Sequence, residues 1–152
     1  MQQENIDHTL ATAAEKLPAR FLLLADVTGQ IISTHGHHKQ MDLIALGSLV
    51  AGDLAASREI ARLIGQYQAN QLILREGENS HTFIVEAGHY MALFIEISQE
   101  VPLGWARMLI QRIAYQLEDI VNIPPEEQTG ELIDLDLDHE EGLSELFSSV
   151  LD

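Results

Sequence analysis

The chain has 152 residues, 46% of them hydrophobic, and a formal net charge of −16. That size predicts one domain with a single core plus a tail, and the acidity argues against nucleic acid or an anionic membrane as a partner, because neither offers a counter-charge. The absence of cysteine excludes disulfides, thiolate catalysis and cysteine-ligated zinc, while the lack of any apolar run near the roughly 18 residues of a membrane span, and of a basic leader at Met1-Gln2-Gln3-Glu4, predicts a cytoplasmic protein.

Residues 6–17 place Ile6, Leu10, Ala13, Ala14 and Leu17 at helical spacing, and Pro18 stops the helix. Residues 20–26 (RFLLLAD) are a short apolar run. Residues 31–34 follow directly after Val27-Thr28-Gly29-Gln30, which predicts a β-hairpin turning at Thr28-Gly29. A polar loop rich in histidine then leads to Asp42, near the first turn of the next helix, where a carboxylate is favoured.

Residues 41–67 contain no proline and predict one long helix with two faces that both need cover. Leu43, Leu46, Val50, Leu54, Ala61 and Ile64 form a bulky stripe suited to packing on a sheet, and Ala45, Ser48, Gly52, Ala55 and Ala56 form a stripe of small side chains. Gly47 and Gly52 each cost about 1 kcal/mol of helix propensity relative to alanine, so close packing is the expected reason for them. A helix of this length, roughly 40 Å at 1.5 Å per residue, exceeds what a small sheet covers. The small-residue face is therefore expected to meet a second copy of the chain.

After residue 67 the period changes. Residues 71–75 (QLILR), 81–86 (HTFIVE) and 90–97 (YMALFIEI) are rich in β-branched and aromatic residues and are separated by short glycine-containing turns, which predicts three antiparallel strands. Leu72, Ile73 and Leu74 would form an aggregation-prone strand if it lay bare at a sheet edge, and pairing with the same strand of a second subunit would cover it; the sequence leaves open whether this strand is an edge or central. A final helix over residues 102–121 has Trp105, Met108, Leu109, Ile113, Leu117 and Ile120 as its expected apolar face, with Pro102 in the first turn. The order α-β-β-α-β-β-β-α predicts an α+β fold. It is an α-β-α sandwich in which a five-stranded antiparallel sheet carries the long helix on one face and the terminal helices on the other.

These segments resemble the Roadblock/LC7 (profilin-like) family over about residues 6–121. The resemblance is carried by residues 21–33 (FLLLADVTGQIIS), 42–52 (DLIALGSLVAG) and Leu93-Phe94-Ile95 before the closing helix. It implies a homodimer or heterodimer with a sheet continuous across the interface and two long helices packed together. It further implies a non-enzymatic regulator of a small Ras-like GTPase that binds the GTP-loaded partner and rearranges that partner's own switch residues. Motor-associated members imply the alternative of a structural adaptor indifferent to nucleotide.

Other chemistry finds little support. The chain has no GxxxxGK[ST] loop, no GxGxxG after a strand and no GxSxG elbow, and Ser33, Thr34 and His35 form no recognised triad. Neither catalytic residues nor a cofactor are expected. His35, His37 and His38, with His81 and His89, invite a metal site, but their spacing is not that of a helix-borne motif and a polar loop explains the cluster better. Arg58 and Arg62, one turn apart, are candidates for meeting an acidic partner surface or phosphate charge; local pairing with Glu59 or other acids is the plainer reading. Up to residue 125 there are eight basic and fourteen acidic residues, and residues 126–152 hold ten acidic and no basic ones. The predicted division is a domain over 1–125 and an acidic tail over 126–152. In that tail ELIDLDLD alternates acid with Leu/Ile, and Leu143, Leu146, Phe147 and Val150 recur at helical spacing, which predicts a flexible arm bearing a partner-docking element; folding back on the domain is the alternative.

Overall fold

The computed structural model describes residues 2–37 and 40–122. His38, the acidic tail and its Leu143, Leu146, Phe147 and Val150 lie outside the described residues. In chain order the elements are α1 (Gln2–Lys16), β1 (Ala19–Asp26), β2 (Ile31–Gly36), α2 (Leu43–Leu63), β3 (Leu72–Glu76), β4 (Ser80–Glu86), β5 (Met91–Ser98) and α3 (Leu103–Asn122). The strands form one antiparallel sheet in the order β2-β1-β5-β4-β3. The fold is the expected α+β sandwich, and β3 is an edge.

Strand β1 is apolar at every position from Phe21 to Ala25, all fully buried, because β2 and β5 flank it and helices cover both faces. On one face Phe21, Leu23 and Ala25 meet Leu43 and Leu46 of α2 together with Phe94, and Val50 and Leu54 pack on Ile84 and Ala92. The alternate side chains, Leu22, Leu24, Phe83, Val85, Leu93, Ile95 and Ile97, are buried on the other face. There α1 contributes Ile6, Leu10 and Ala13, Leu17 follows just past its end, and α3 contributes Ala106, Ile110, Ile113, Ala114 and Leu117. Each large side chain so buried contributes about 1.5–3 kcal/mol, so this two-sided core dominates stability.

Two expectations are corrected. The long helix spans 21 residues, not residues 41–67. It ends because Gly65 takes a positive φ of 72°, which lets Gln66 donate to Ala61 O at 2.8 Å and Gly65 to Arg62 O at 3.1 Å, the bonding of a Schellman cap. Ile64 therefore falls at the cap and is exposed rather than part of the sheet-packing stripe. In α3, Trp105 and Met108 are exposed, whereas Ile113 and Leu117 of the expected face are buried together with Ala106, Ile110 and Ala114, so the buried stripe is rotated toward the latter.

At the start of α2, Asp42 caps the helix by accepting the Ala45 N–H at 3.0 Å. No helix among the described residues is long and apolar enough to cross a membrane.

Candidate interaction surface

The face of α2 turned away from the sheet holds the small-residue stripe. Ala45, Ser48, Gly52, Ala55 and Ala56 are all exposed, and a side chain built at Gly52 would meet no atom within 4 Å. Beside them stand Ile44, Leu49 and Leu63, which are 79%, 70% and 77% exposed, with Ile60 also in the open. One helix thus presents two apolar faces, and only one is covered by its own domain. The large residues escape a stripe-based reading because they flank the small ones instead of repeating with them.

Gly47, by contrast, serves packing inside the domain. Its Cα faces the β1–β2 turn, where an added Cβ would lie 2.7 Å from Gly29 O. The turn itself is set by Gly29 at φ 94° and by Asp26, whose carboxylate accepts the Thr28 hydroxyl and the N–H groups of Thr28 and Gln30 at 2.9 and 3.0 Å. These bonds, the Thr28 hydroxyl first among them, hold the Asp26 carboxyl below the usual carboxylate range.

Alongside α2 runs the β3 edge. Its outer side pairs with no strand among the described residues, and Leu72, Ile73 and Leu74 are half-buried. An open groove of about 460 Å³ separates the helix from this edge, lined by Leu46, Leu49, Val50, Ile84 and Phe94. Arg75 of β3 pairs with Asp53 of α2 at its rim. The hydrogen bond and the charge of Asp53 push the Arg75 guanidinium further above its ordinary value. A second concavity of about 610 Å³ lies at the start of β3 between Ile60 and Ile64 on the α2 side and Arg107, Gln111 and Tyr115 of α3. The helix face and the strand edge, two separate expectations from the sequence, are therefore brought side by side.

Arg58 and Arg62 line a shallow depression with Glu59, Tyr67 and His89. Arg58 is committed inward. Its Nε donates to Glu86 Oε1 at 2.7 Å and its Nη2 to His89 O at 3.4 Å, while Glu86 Oε2 also accepts the Asn70 N–H at 3.2 Å. Arg62 is exposed and paired with Glu59, whose hydrogen bond and charge push its guanidinium above the ordinary value. Arg62 thus has the local partner that i,i+3 spacing suggests, whereas the Arg58 partner lies 28 residues away.

Among the described residues no group of three or more His, Cys, Asp or Glu is placed to hold a metal ion. His35 lies on β2, at the opposite edge of the sheet from β3, and His81 on β4. Ser33 hydrogen-bonds Asp7 of α1, which ties the β2 edge to the first helix rather than forming a reactive group.

No family profile matches the sequence, and no curated protein matches it; solved structures do. The chain is similar to MglB of Myxococcus xanthus, with 28% identity and a TM-score of 0.72 over 78% of this chain and 89% of that one. It is also similar to the gliding protein MglB of Thermus thermophilus, with 26% identity and a TM-score of 0.70 over 79% and 90%. A Roadblock/LC7 domain from Streptomyces avermitilis shares the fold at 18% identity, with a TM-score of 0.64 over 81% and 98%. The resemblance to the Roadblock/LC7 family read from the sequence therefore extends to the whole strand order and helix placement.

Proposed function

From this Roadblock/LC7 fold we propose that the chain is a dimeric, non-catalytic binding module that regulates a small Ras-like GTPase. The observation that carries the reading is the juxtaposition of the outward α2 face with the open β3 edge: Ala45, Ser48, Gly52, Ala55 and Ala56 beside Leu72, Ile73 and Leu74. A second copy covers both at once, because a two-fold axis beside β3 sets two α2 helices on the same face of a joined sheet. Similarity to MglB, one form of which has been solved in a tetrameric arrangement, supports self-association.

The GTPase reading follows from the resemblance, and the local chemistry is compatible with a regulator that supplies no catalytic group. Arg58 is held by a buried carboxylate and is not free to reach a partner's phosphate. In this mechanism the dimer binds the GTP-loaded state and selects a conformation of the partner's own switch segments, lowering the barrier by population shift. Arg62, exposed on the same helix, contributes to the docking surface rather than to the transition state.

The test is capture of partners on the immobilised chain in parallel with GDP and with a non-hydrolysable GTP analogue, read by mass spectrometry. A small GTPase retained only in the GTP-like state is the expected result. Partners indifferent to nucleotide, with no GTPase among them, overturn the regulator reading in favour of an adaptor.

A further inference from the structure

Two backbone hydrogen bonds fix the direction of the β3 peptide groups. Glu86 donates its N–H to Gln71 O at 2.9 Å, and Gly77 donates to Ser80 O at 3.0 Å. Between them β3 and β4 pair with Leu72 opposite Val85 and Glu76 opposite His81. In an antiparallel ladder bonded and non-bonded pairs alternate, so the odd-numbered residues of β3 exchange bonds with β4. Leu72, Leu74 and Glu76 turn their N–H and C=O groups to the open edge. Side chains alternate too: Ile73 and Arg75 face α2, and Leu72, Leu74 and Glu76 face the layer of α1 and α3.

We infer that a second copy of this chain pairs antiparallel on this edge with its two-fold axis at Ile73. Ile73 then lies opposite Ile73 of the partner subunit, and Leu72 opposite Leu74 of the partner subunit. The inference rests on the dimer reading above and adds its register, which decides which side chains meet across the seam.

The outward groups leave few ways to pair. With the axis at Leu74, Glu76 falls opposite Leu72 of the partner subunit and Arg75 opposite Ile73 of the partner subunit, so charge meets leucine and isoleucine. With the axis at Arg75, two guanidinium groups face one another directly, an unfavourable like-charge pair. With the axis at Leu72, Leu74 falls opposite Asn70 of the partner subunit, and Asn70, at φ 59°, lies outside the strand. The axis at Ile73 alone matches apolar to apolar throughout the centre. It also sets Arg75 against Gln71 of the partner subunit, polar to polar, and leaves Glu76 at the end of the seam beyond the partner's strand. Moving the two-fold axis by one residue shifts the pairing by two positions and keeps every side chain on its own face, so it is these matches along the seam that select the register.

At the axis the two Ile73 residues form a non-hydrogen-bonded pair, whose Cα atoms stand about 4.5 Å apart, inside the range a disulfide spans. The two Leu74 residues are offset by two positions, about 8 Å apart at about 3.4 Å per residue and about 4.8 Å between strands, beyond that range. The natural chain has no cysteine, so single-cysteine variants report one position each.

The full-length variants Ile73→Cys, Leu74→Cys and Arg75→Cys are oxidised under mild conditions and followed on non-reducing gels, with sedimentation of the unsubstituted chain alongside. Ile73→Cys is expected to form the covalent dimer at least ten-fold faster than the other two. Faster crosslinking of Leu74→Cys or Arg75→Cys in a chain that sediments as a dimer overturns the register and leaves the dimer reading standing; a monomeric chain overturns the dimer reading itself. The unsubstituted protein supplies a second measurement, since a dimer mixed from isotope-labelled and unlabelled subunits should show a Hα-to-Hα Overhauser contact between the two Ile73 residues. Absence of that contact in a dimer overturns the register as well.

Discussion

Glu86 lies on β4 beneath Arg58 of α2, carboxylate to guanidinium at 2.7 Å, with only 1% of the residue exposed. The same carboxylate accepts the Asn70 N–H, so one buried charge joins the long helix, the loop that leads into β3, and the sheet. Removing the arginine leaves that charge without its counter-ion. Arg58→Ala is therefore expected to lower unfolding stability by about 2–3 kcal/mol, measured by urea titration at fixed protein concentration. Arg62→Ala removes only an exposed pair with Glu59 and is expected to leave the midpoint where it is. Equal losses from both substitutions would contradict the buried role of the first.

The β1–β2 turn has a pH signature. The Thr28 hydroxyl and the backbone N–H groups hold the Asp26 carboxyl below its ordinary value, so the folded chain binds this proton less readily than the unfolded chain. The stabilisation is fully present above the ordinary carboxylate pKa near 4 and is lost as pH falls through the lowered folded value. Asp26→Asn is expected to lower the neutral stability and to leave the value at low pH nearly unchanged, so that the acid limb below about pH 4 flattens. Thermal midpoints of both proteins taken across that range check this, and parallel profiles would show that Asp26 carries none of the acid sensitivity.

Which features could be read from sequence follows from the range of the interactions. Strand β1 announces itself by five consecutive apolar residues, and the α2 stripes by their spacing, because burial imposes period on local sequence. The end of α2 escapes such a reading because it rests on the left-handed Gly65 rather than on a proline. The inner face of α3 is misplaced only in its first turns, because large Trp105 and Met108 outweigh small Ala106 and Ala114 in any count of apolar residues, although the small ones are the buried ones. The Arg58–Glu86 and Arg75–Asp53 pairs join residues far apart in sequence, and no local pattern encodes them. The edge position of β3 depends on β1 pairing with β5, again a long-range fact.

Asp42 offers a local check on the helix that carries the interaction surface. Its side chain satisfies the Ala45 N–H at 3.0 Å, one of the donors left free at the start of α2. Asp42→Ala is expected to cost about 1 kcal/mol, and Asp42→Ser or Asp42→Asn to restore most of it. Hydrogen exchange should show the loss concentrated at the amides of the first turn of α2; a uniform change across the domain would point to some other role.

Gly47 and Gly52 are five residues apart on one helix and are expected to respond in opposite ways. At Gly47 a methyl group would lie 2.7 Å from Gly29 O and 3.1 Å from the Ile31 side chain. For Gly47→Ala the helix-propensity gain of about 1 kcal/mol is outweighed by an overpacking cost of about 1–3 kcal/mol, and the domain is destabilised. At Gly52 the outward side is open, so Gly52→Ala gains up to about 1 kcal/mol in the single subunit. Gly52→Leu keeps the subunit folded but holds a second helix away. Its self-association is expected to weaken at least ten-fold, about 1.4 kcal/mol, while circular dichroism of the diluted subunit stays unchanged. Sedimentation across a concentration series measures the difference. If Gly52→Leu remained dimeric with undiminished affinity, the two-fold contact would have to lie somewhere other than the small-residue face of α2.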